Sequence, residues 1–242
     1  HGKVSFLVVK DASGELQLFC ALDALGPERY EALEDLDLSD HVGAEGTVMR
    51  TRRGELSLRI SSWQLLTKSL RPLPEKFHGL TDVELRYRKR YLDTAVNDES
   101  RRIFEQRALI IRTIREFLDG RGFVEVETPV LQPLYGGALA KPFVTHHNEL
   151  ERDLYLRIAT ELYLKRCIIG GIDRVYEIGK DFRNEGVSFK HNPEFTMLEF
   201  YEAYVDYNHV MTMVEEMVAE AARAVGDLTV TFRDHEIDLT PP

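Results

Sequence analysis

Residues 182–201 read FRNEGVSFKHNPEFTMLEFY, and the alternation in the second half of this stretch decides which fold is predicted. Successive side chains of a strand point to opposite faces, so a strand over 195–201 presents two different sets. One set suits a core: Thr196, Leu198 and Phe200. The other set places a carboxylate among apolar side chains: Phe195, Met197, Glu199 and Tyr201. Because a charge on such a face needs a partner or a ligand, this face is a candidate binding surface.

The residues before the loop extend that surface. Arg183 and Glu185 are two residues apart, which predicts that they share one face of the preceding strand. A short loop joins the two strands, so we expect them to be antiparallel. The hairpin would then gather one cation, two carboxylates and two aromatic rings on one surface. Such a surface suits a small molecule with an anionic phosphate, a flat ring and an amino group.

An ordered series of segments gives the chain a family resemblance over nearly its whole length. Residues 182–201 resemble motif 2 of the class II aminoacyl-tRNA synthetases, and in detail that of the lysyl-tRNA synthetases; GFVEVETPVL at 122–131 resembles motif 1. Further segments are similar to ones specific to the lysine enzymes: YGGA at 135–138, KPF at 141–143, THHN at 145–148, LYLRIA at 154–159 and ELYLKR at 161–166. Two positions depart from the family pattern, Lys141 where arginine is usual and Thr160 where proline is common.

The resemblance implies an ATP-dependent ligase in which the lysine carboxylate attacks the α-phosphate of ATP and releases pyrophosphate. Arginine suits this step because its guanidinium stays cationic and offers a planar fork of donors to the phosphate oxygens. By resemblance Arg183 is the catalytic residue and contacts both the α-phosphate and the lysine carboxylate. The structural alternative is that Arg183 is a strand arginine that forms an ion pair with Glu185. Resemblance assigns the rest of the ATP site, with a ring stacked on the purine, to Asn184, Glu185, His191, Asn192 and Phe195.

Recognition of lysine requires a negative group for the ε-ammonium and an acceptor for the α-amine. Four residues match the positions that the family uses for lysine binding: Gly137, Glu161, Glu199 and Tyr201. A pocket built on paired charge rejects amino acids that lack the ammonium, since its carboxylates would stay unpaired. The two glutamates also have structural readings, because a carboxylate on a strand can form an ion pair and helical glutamates usually lie at the surface.

Residues 1–67 predict a small β-domain. Strand-like segments at 4–10, 15–20, 42–50 and 55–66 surround a helix that Pro27 begins, and this order is most of a five-stranded OB barrel. The resemblance places the missing first strand before His1. It also assigns anticodon binding to Phe6, Gln17 and Glu55, where OB surfaces stack and hydrogen-bond unpaired bases. Phe6 alternates with Val4 and Val8, so periodicity alone leaves a core role for Phe6 open.

The predicted fold class is α+β, with a partial OB-fold barrel followed by a truncated class II antiparallel sheet flanked by helices. Residues 68–82, which include Pro72 and Pro74, are predicted to be a linker, and 83–242 the catalytic domain with motifs 1 and 2. Helical spacing predicts helices over 100–119, 160–169 and 210–225. The apolar stripe of the last helix, which includes Met213 and Met217, is predicted to be core packing.

Composition narrows the class of protein. The formal net charge of −10 argues against a protein that coats nucleic acid, although local basic clusters such as residues 86–90 remain either a solvated helix face or a tRNA contact. No apolar run approaches the ~18 residues that a membrane span requires, and no signal peptide is seen. The cysteines, Cys20 and Cys167, predict free thiols. We therefore predict a cytoplasmic protein with no membrane partner.

No metal site is predicted from the protein residues alone. His146 and His147 are adjacent on a predicted strand and so point to opposite faces. The resemblance implies Mg²⁺ as well as ATP, with magnesium ligands beyond residue 242. It also implies a third, glycine-rich motif that residues 1–242 lack, so the chain on its own is predicted to be inactive as a ligase.

The implied partners are tRNA(Lys), lysine, ATP and a second copy of the protein, the last through the motif 1 region. Two alternatives remain open: a non-catalytic tRNA- or partner-binding fragment, and a paralogue that forms lysyl-adenylate but modifies a protein. The second lacks the small barrel that residues 1–67 predict. Aspartyl and asparaginyl enzymes share the architecture, but Glu199 and Tyr201 suit a cationic side chain.

Overall fold

The structure is a computed structural model that describes residues 2–71, 73 and 80–242. Pro72 and Pro74 of the predicted linker lie outside the described residues. The chain divides into two compact units, His1–Arg101 and Arg102–Pro242. The domain boundaries predicted at residues 67 and 83 stay a prediction. None of the helices in the described part of the chain is both long enough and apolar enough to span a membrane.

The first unit contains a four-stranded sheet in the order β1–β2–β4–β3. Its strands are β1 (Val4–Asp11), β2 (Gly14–Ala21), β3 (His41–Arg50) and β4 (Leu56–Thr67). The β1–β2 and β3–β4 pairs are antiparallel, whereas β2 and β4 run parallel. Between β2 and β3 lie α1 (Leu22–Leu25), α2 (Pro27–Glu31) and a 3₁₀ turn (Ala32–Asp35). This order of elements confirms the predicted partial OB fold.

Alternation along β1 and β2 separates a core face from an outer face. Leu18 and Cys20 are buried with Leu25, Leu33 and Ile60 in the core of this unit. Leu7 and Val9 pack against that core, whereas Phe6 and Val8 are 54% and 58% exposed. Phe6 therefore lies on the outer face, and the core role that the periodicity left open does not apply.

Two short helices follow the sheet within the first unit, α3 (Val83–Arg88) and α4 (Arg90–Val96). Asp82 caps α3, because its carboxylate accepts a hydrogen bond from the backbone N–H of Leu85 at 2.7 Å. The fully buried Asp93 binds the guanidinium groups of Arg86 and Arg90. Two cations of the basic cluster at 86–90 thus satisfy a buried carboxylate.

The second unit carries α6 (Glu161–Ile169), α7 (Tyr207–Val225) and most of α5 (Asp98–Asp119). Its strands are β5 (Val124–Glu125), β6 (Leu131–Gln132), β7 (Val144–His147), β8 (Arg152–Leu156), β9 (Arg174–Phe182), β10 (Glu194–Glu202), β11 (Thr229–Phe232) and β12 (His235–Asp238). They form three sheets with the orders β10–β9–β5, β6–β8–β7 and β11–β12.

The central pair of this unit, β9 and β10, is antiparallel as predicted, from Glu194 opposite Phe182 to Glu202 opposite Arg174. The β5 strand adds a short parallel pairing to β9, which the sequence did not predict. Leu198 and Phe200 face a core formed by the following residues: Phe117, Leu118, Phe123, Tyr176, Met213 and Met217. This confirms both the predicted core face of β10 and the core packing of the methionine stripe.

Gly46 marks a tight approach between β3 and β4. The register shifts between Glu45 and Gly46, and a Cβ at Gly46 would lie 2.1 Å from the carbonyl oxygen of Arg59. Because β4 backbone cannot retreat as a flexible side chain can, only glycine fits this bulge. At Gly43, by contrast, a Cβ would make ordinary contacts at 3.5 Å with the side chain of Gln64.

We therefore expect Gly46→Ala to lower the free energy of unfolding of the first unit by about 2–3 kcal/mol, because the added methyl forces the strands apart. The matched substitution Gly43→Ala should change it by less than about 1 kcal/mol. Trp63, the single tryptophan, lies in β4 and reports this unit in urea titrations followed by fluorescence. Equal effects of the two substitutions would contradict the account of the bulge.

Candidate functional site

The register of β9 and β10 defines a polar face, called here the site face. Its β10 side chains are the predicted ones: Phe195, Met197, Glu199 and Tyr201. The β9 residues directly opposite them are Asp181, Gly179, Glu177 and Val175. Directly paired residues of a sheet project to the same side, so β9 and β10 place three carboxylates on the site face, Glu177, Asp181 and Glu199. The sequence pattern had predicted two, Glu185 and Glu199.

Arg183 and Phe195 lie together at one end of the site face. The guanidinium carbon of Arg183 is 5.1 Å from the centroid of the Phe195 ring, which is within the range of a cation–π contact. The Nε atom of Arg183 is buried and has no hydrogen-bond partner among the described residues. A cation with an unused buried donor beside an aromatic face can bind an anionic group that carries a flat ring.

The prediction that Arg183 and Glu185 belong to the preceding strand is wrong. The β9 strand ends at Phe182, one residue earlier. The backbone of Asn184 instead donates to the carbonyl of Lys141 at 2.8 Å, and the Glu185 carboxylate accepts from the N–H of Lys141 at 3.3 Å. The chain leaves its partner strand because a different segment offers these hydrogen bonds.

The loop between β9 and β10 carries the other residues predicted to bind ATP. Ser188 and His191 form an isolated bridge, with the Ser188 hydroxyl 2.8 Å from Nδ1 of His191. Asn184, Glu185, His191 and Asn192 are exposed. Their side chains are therefore available to a ligand, and their predicted role in ATP binding stays a prediction.

Glu199 and Tyr201 form a connected pair farther along β10. The hydroxyl of Tyr201 donates to Glu199 Oε2 at 3.0 Å, and the backbone N–H of Thr160 donates to Oε1 at 3.1 Å. Burial raises the pKa of Tyr201, and the charges of Glu199 and Glu161 raise it further. The phenol is therefore neutral and donates to Glu199, which stays free to face a cation.

Gly137 lies directly against Glu161. A Cβ at Gly137 would be 2.9 Å from the Cβ of Glu161, and its φ of +87° is one that side chains other than glycine rarely adopt. Glu161 begins α6, and its carboxylate also binds Lys165 at 2.6 Å. Since Glu161 influences the pKa of Tyr201, the four residues predicted to bind lysine lie in one neighbourhood.

The sequence analysis missed a buried ion network on the same face. Arg157, which is 2% exposed, donates to Glu177 Oε1 and lies 3.3 Å from Asp181 Oδ1. Glu177 is 4% exposed and also accepts from the N–H and hydroxyl of Thr128. The alternation that placed Glu199 on the site face, counted backwards from Arg183, could have identified Asp181 and Glu177. Nothing local in the sequence points to Arg157.

Asp181 is the least satisfied charge of this network. It is fully buried, and neither carboxylate oxygen accepts a hydrogen bond from the described residues. Burial raises its pKa to about 6; Arg157 opposes this shift and Glu199 adds to it. The carboxyl group is thus mostly ionised at neutral pH but at a cost in stability.

The first unit has a concave pocket with a volume of about 920 Å³. The three residues that were predicted to bind an anticodon base all line this pocket. Its lining residues are Phe6, Gln17, Phe19, Met49, Thr51, Arg52, Arg53 and Glu55. The rings of Phe6 and Phe19 meet edge to face at 5.5 Å, and Ser57 donates to the side-chain oxygen of Gln17 at 2.9 Å. Aromatic rings beside two arginines suit an unstacked base with its phosphate.

No group of three or more potential metal-ligating side chains occurs within the part of the chain that the structure describes. His146 and His147 have separate partners. His146 Nδ1 lies 3.0 Å from Asp153, whereas His147 Nδ1 accepts a hydrogen bond from the backbone of Leu150 at 3.2 Å.

Two family models match this chain. The model described as tRNA synthetases class II (D, K and N) matches residues 82–240. The model described as OB-fold nucleic acid binding domain matches residues 1–66. Together these matches extend over most of the sequence.

Curated relatives are similar over the whole chain. A lysine–tRNA ligase of Moorella thermoacetica is 59% identical over 100% of this chain and 50% of the relative. Ligases of the same name from Dehalococcoides mccartyi and Pelotomaculum thermopropionicum are 57% and 54% identical, again over 100% of this chain and over 49% and 48% of the relatives. The chain spans about half the length of the curated relatives it matches.

Asp181 gives a pH-dependent prediction. Its folded pKa of about 6 lies above the ordinary value of 3.8, so the folded protein binds this proton more tightly than the unfolded chain does. The carboxyl group therefore lowers stability as the pH rises from about 4 to above 6, and the loss persists at higher pH. We expect Asp181→Asn, which removes this charge at constant size, to raise the free energy of unfolding by about 1–3 kcal/mol at pH 8.

The gain should vanish near pH 4, where the wild-type carboxyl group is protonated in the folded protein. Urea titrations followed by circular dichroism at the two pH values measure it. The exposed residue Asp153 provides the control, because Asp153→Asn should show no comparable pH-dependent difference. A stability of Asp181→Asn equal to or below that of wild type at pH 8 would contradict the assignment.

Proposed function

The chain belongs to the class II tRNA synthetases of the D, K and N type, and from this premise we propose that the whole protein is a lysine–tRNA ligase. It activates lysine with ATP to lysyl-adenylate and transfers the lysyl group to tRNA(Lys). The identity of 53–59% to curated lysine–tRNA ligases supports the choice of lysine among the amino acids of this family.

One observation carries the proposal. Arg183 and Phe195 lie at one end of the site face, and Glu199 with Tyr201 lie farther along the same strand. At a rise of about 3.3 Å per residue, Phe195 and Glu199 are roughly 13 Å apart. The face therefore holds an aromatic ring and a cation together at one end and a carboxylate farther along, which matches the adenylate end and the ammonium end of lysyl-adenylate.

In the activation step the lysine carboxylate oxygen forms a bond to the α-phosphorus of ATP, and the bond to the bridging oxygen breaks as pyrophosphate leaves. Arg183 neutralises the charge that develops on the phosphate oxygens and holds the lysine carboxylate in line with the phosphorus. Phe195 stacks on the purine. Four exposed residues complete the proposed ATP site: Asn184, Glu185, His191 and Asn192. In the transfer step a hydroxyl of the terminal ribose of the tRNA attacks the lysyl carbonyl, and AMP leaves.

Charge balance supports lysine as the amino acid. Glu177, Asp181 and Glu199 contribute three carboxylates to the site face, whereas Arg157 and Arg183 contribute two guanidinium groups. One formal negative charge is left, and the Glu161–Lys165 pair does not change it. A substrate ammonium compensates that charge, whereas an aspartate side chain would add to it. Gly137 offers its backbone beside Glu161.

The described residues contain no cluster of three or more suitable ligands, and we propose no magnesium site on them. Magnesium ligands stay predicted for residues after 242, and no step of the proposed reaction is assigned to a metal held by this chain.

We propose that residues 1–67 read the anticodon and residues 83–242 form part of the catalytic domain, with 68–82 as the linker. The family matches over 1–66 and 82–240 support this division. Phe6, Gln17 and Glu55 line one concave surface, which supports their role in anticodon binding. The same OB match speaks against a paralogue that modifies a protein.

A homodimer through residues 122–129 is part of the proposal. Val124, at the start of β5, and Val130 keep 48% and 37% of their surface exposed, as apolar side chains at an interface would before assembly. The cytoplasm is proposed as the compartment, and the tRNA-directed activity of the curated relatives supports it.

The first test is Arg183→Ala in the whole protein. Its charge matters most when charge develops on the phosphate, so kcat of lysine-dependent ATP–pyrophosphate exchange should fall by about 10²–10³ while ATP binding weakens much less. Arg107→Ala is the matched control, since Arg107 binds Thr196 on the opposite face of β10. An exchange rate of Arg183→Ala within a few-fold of wild type would remove Arg183 from the catalytic role. Wild-type exchange that does not depend on lysine would overturn the proposed function.

The second test is Glu199→Gln, which deletes the charge. The amide oxygen can still accept from the N–H of Thr160, and the amide nitrogen can donate to the hydroxyl of Tyr201. We expect KM for lysine to rise by about 10–100-fold and KM for ATP to stay within about threefold. Glu194→Gln serves as the control, because Glu194 lies on the same strand as Glu199 and forms an exposed ion pair with Lys180 of β9. Steady-state exchange kinetics measure both constants. Unchanged KM for lysine would leave Glu199 with a structural role only.

A further inference from the structure

Among the described residues, Arg157 is a buried guanidinium that the proposed chemistry does not use. It follows β8 directly and precedes the segment that carries Thr160 and Glu161. It is 2% exposed. Arg157 therefore lies in the short segment between β8 and Thr160, whose backbone N–H binds Glu199.

The guanidinium contacts two separate segments, β9 and the chain at Thr128. Nη1 donates to Glu177 and to the carbonyl and hydroxyl oxygens of Thr128, at 3.1 and 3.2 Å for the latter two. Nε donates to the carbonyl of Lys180 at 2.8 Å and lies 3.3 Å from Asp181. The planar fork of arginine makes these contacts at once, which the single ammonium of a lysine cannot do.

The backbone of Arg157 adds two further ties. Its N–H donates to the carbonyl of Val130 at 2.9 Å, and its carbonyl accepts from the N–H of Phe182, also at 2.9 Å. Phe182 is the last residue of β9, and Arg183 follows it. Arg157 thus holds the last residues of β9, directly before the point where Arg183 leaves the sheet.

Gly179 makes room for this arrangement. It lies on the site face between Glu177 and Asp181, and a Cβ there would be 2.1 Å from Nη2 of Arg157. The glycine therefore lets the guanidinium lie flat against the strand between the two carboxylates. Any larger residue at 179 would displace the guanidinium without removing its charge.

We propose that Arg157 is a positioning residue for amino acid activation. This role rests on the proposed function. Arg157 fixes the position of the segment that contains Thr160 relative to the end of β9, so that Glu199 and Arg183 bind the same substrate molecule. Glu177 is its main anchor, and Gly179 provides the space. Arg157 itself touches neither reactant.

The test compares Arg157→Lys and Gly179→Ala in the whole protein with Gly43→Ala, a β-strand glycine of the first unit where a Cβ meets ordinary contacts. In the first two variants we expect kcat of lysine-dependent exchange to fall at least about tenfold, because small misplacements of reacting groups are costly. KM for ATP should change by less than about threefold, and the thermal midpoint should stay well above the assay temperature. Gly43→Ala should leave kcat unchanged.

Hydrogen–deuterium exchange gives a readout that does not depend on activity. Arg157→Lys should increase deuterium uptake in peptides that cover 158–160 and 182–184 and leave uptake in α7 unchanged. A purely stabilising role predicts either no local change or a uniform increase across the second unit, and each of these results overturns the proposal. A kcat within about twofold of wild type in both variants overturns it as well.

Two further outcomes keep the inference separate from the proposed function. If wild type shows no lysine-dependent exchange, the proposed function fails, and the pattern of deuterium uptake alone decides the positioning role. If Arg157→Lys does not fold, the kcat of Gly179→Ala and its deuterium uptake decide whether Arg157 has the positioning role. Unfolding of both variants would assign Arg157 to stability alone and overturn the proposal.

Discussion

The antiparallel register of β9 and β10 sets Glu177 directly opposite Glu199, and the site depends on how the fold accommodates these like charges. Directly opposed like charges destabilise a sheet unless each is compensated. Arg157 and Thr128 compensate Glu177, whereas the Thr160 N–H and the Tyr201 hydroxyl bind Glu199. The first carboxylate is neutralised by a full positive charge, but the second is only solvated by neutral dipoles.

That difference explains why Glu177 on β9 has a structural role, whereas Glu199 on β10 can bind a ligand. A buried arginine that forms an ion pair with Glu177 leaves no charge for a substrate, whereas Glu199 with its two neutral donors keeps its negative charge for one. Arg183 lies beyond the end of β9, next to Phe195, so its cation serves an anion at the far end of the same face. The face therefore carries a cation at one end and an anion farther along, as the proposed binding of lysine and ATP requires.

Much of this arrangement was predictable because it is periodic. Alternation in β10 predicted the core face with Leu198 and Phe200 and the opposite face with Glu199, and the length of the loop predicted the antiparallel pairing. The strand assignment of Arg183 and Glu185 failed because Asn184 and Glu185 bind Lys141, a residue remote in sequence, and only the N–H of Arg183 still donates to the facing segment, at Pro193. Arg157 was missed for the same reason. The role of Phe6 stayed undecided because both faces of β1 carry apolar residues. Only the packing of Leu7 and Val9 against the core shows which face is buried.

The central claim is that uncompensated negative charge on the site face selects a cationic side chain. The most direct measurement is ATP–pyrophosphate exchange by the whole protein with three amino acids: lysine, aspartate, and norleucine, whose side chain has the same four carbons as that of lysine but no ε-ammonium. The account predicts kcat/KM for lysine at least ~10⁴-fold above that for norleucine, because carboxylates left unpaired in a closed site are costly, and no detectable exchange with aspartate. Comparable values for lysine and norleucine, or exchange driven by aspartate, would contradict it.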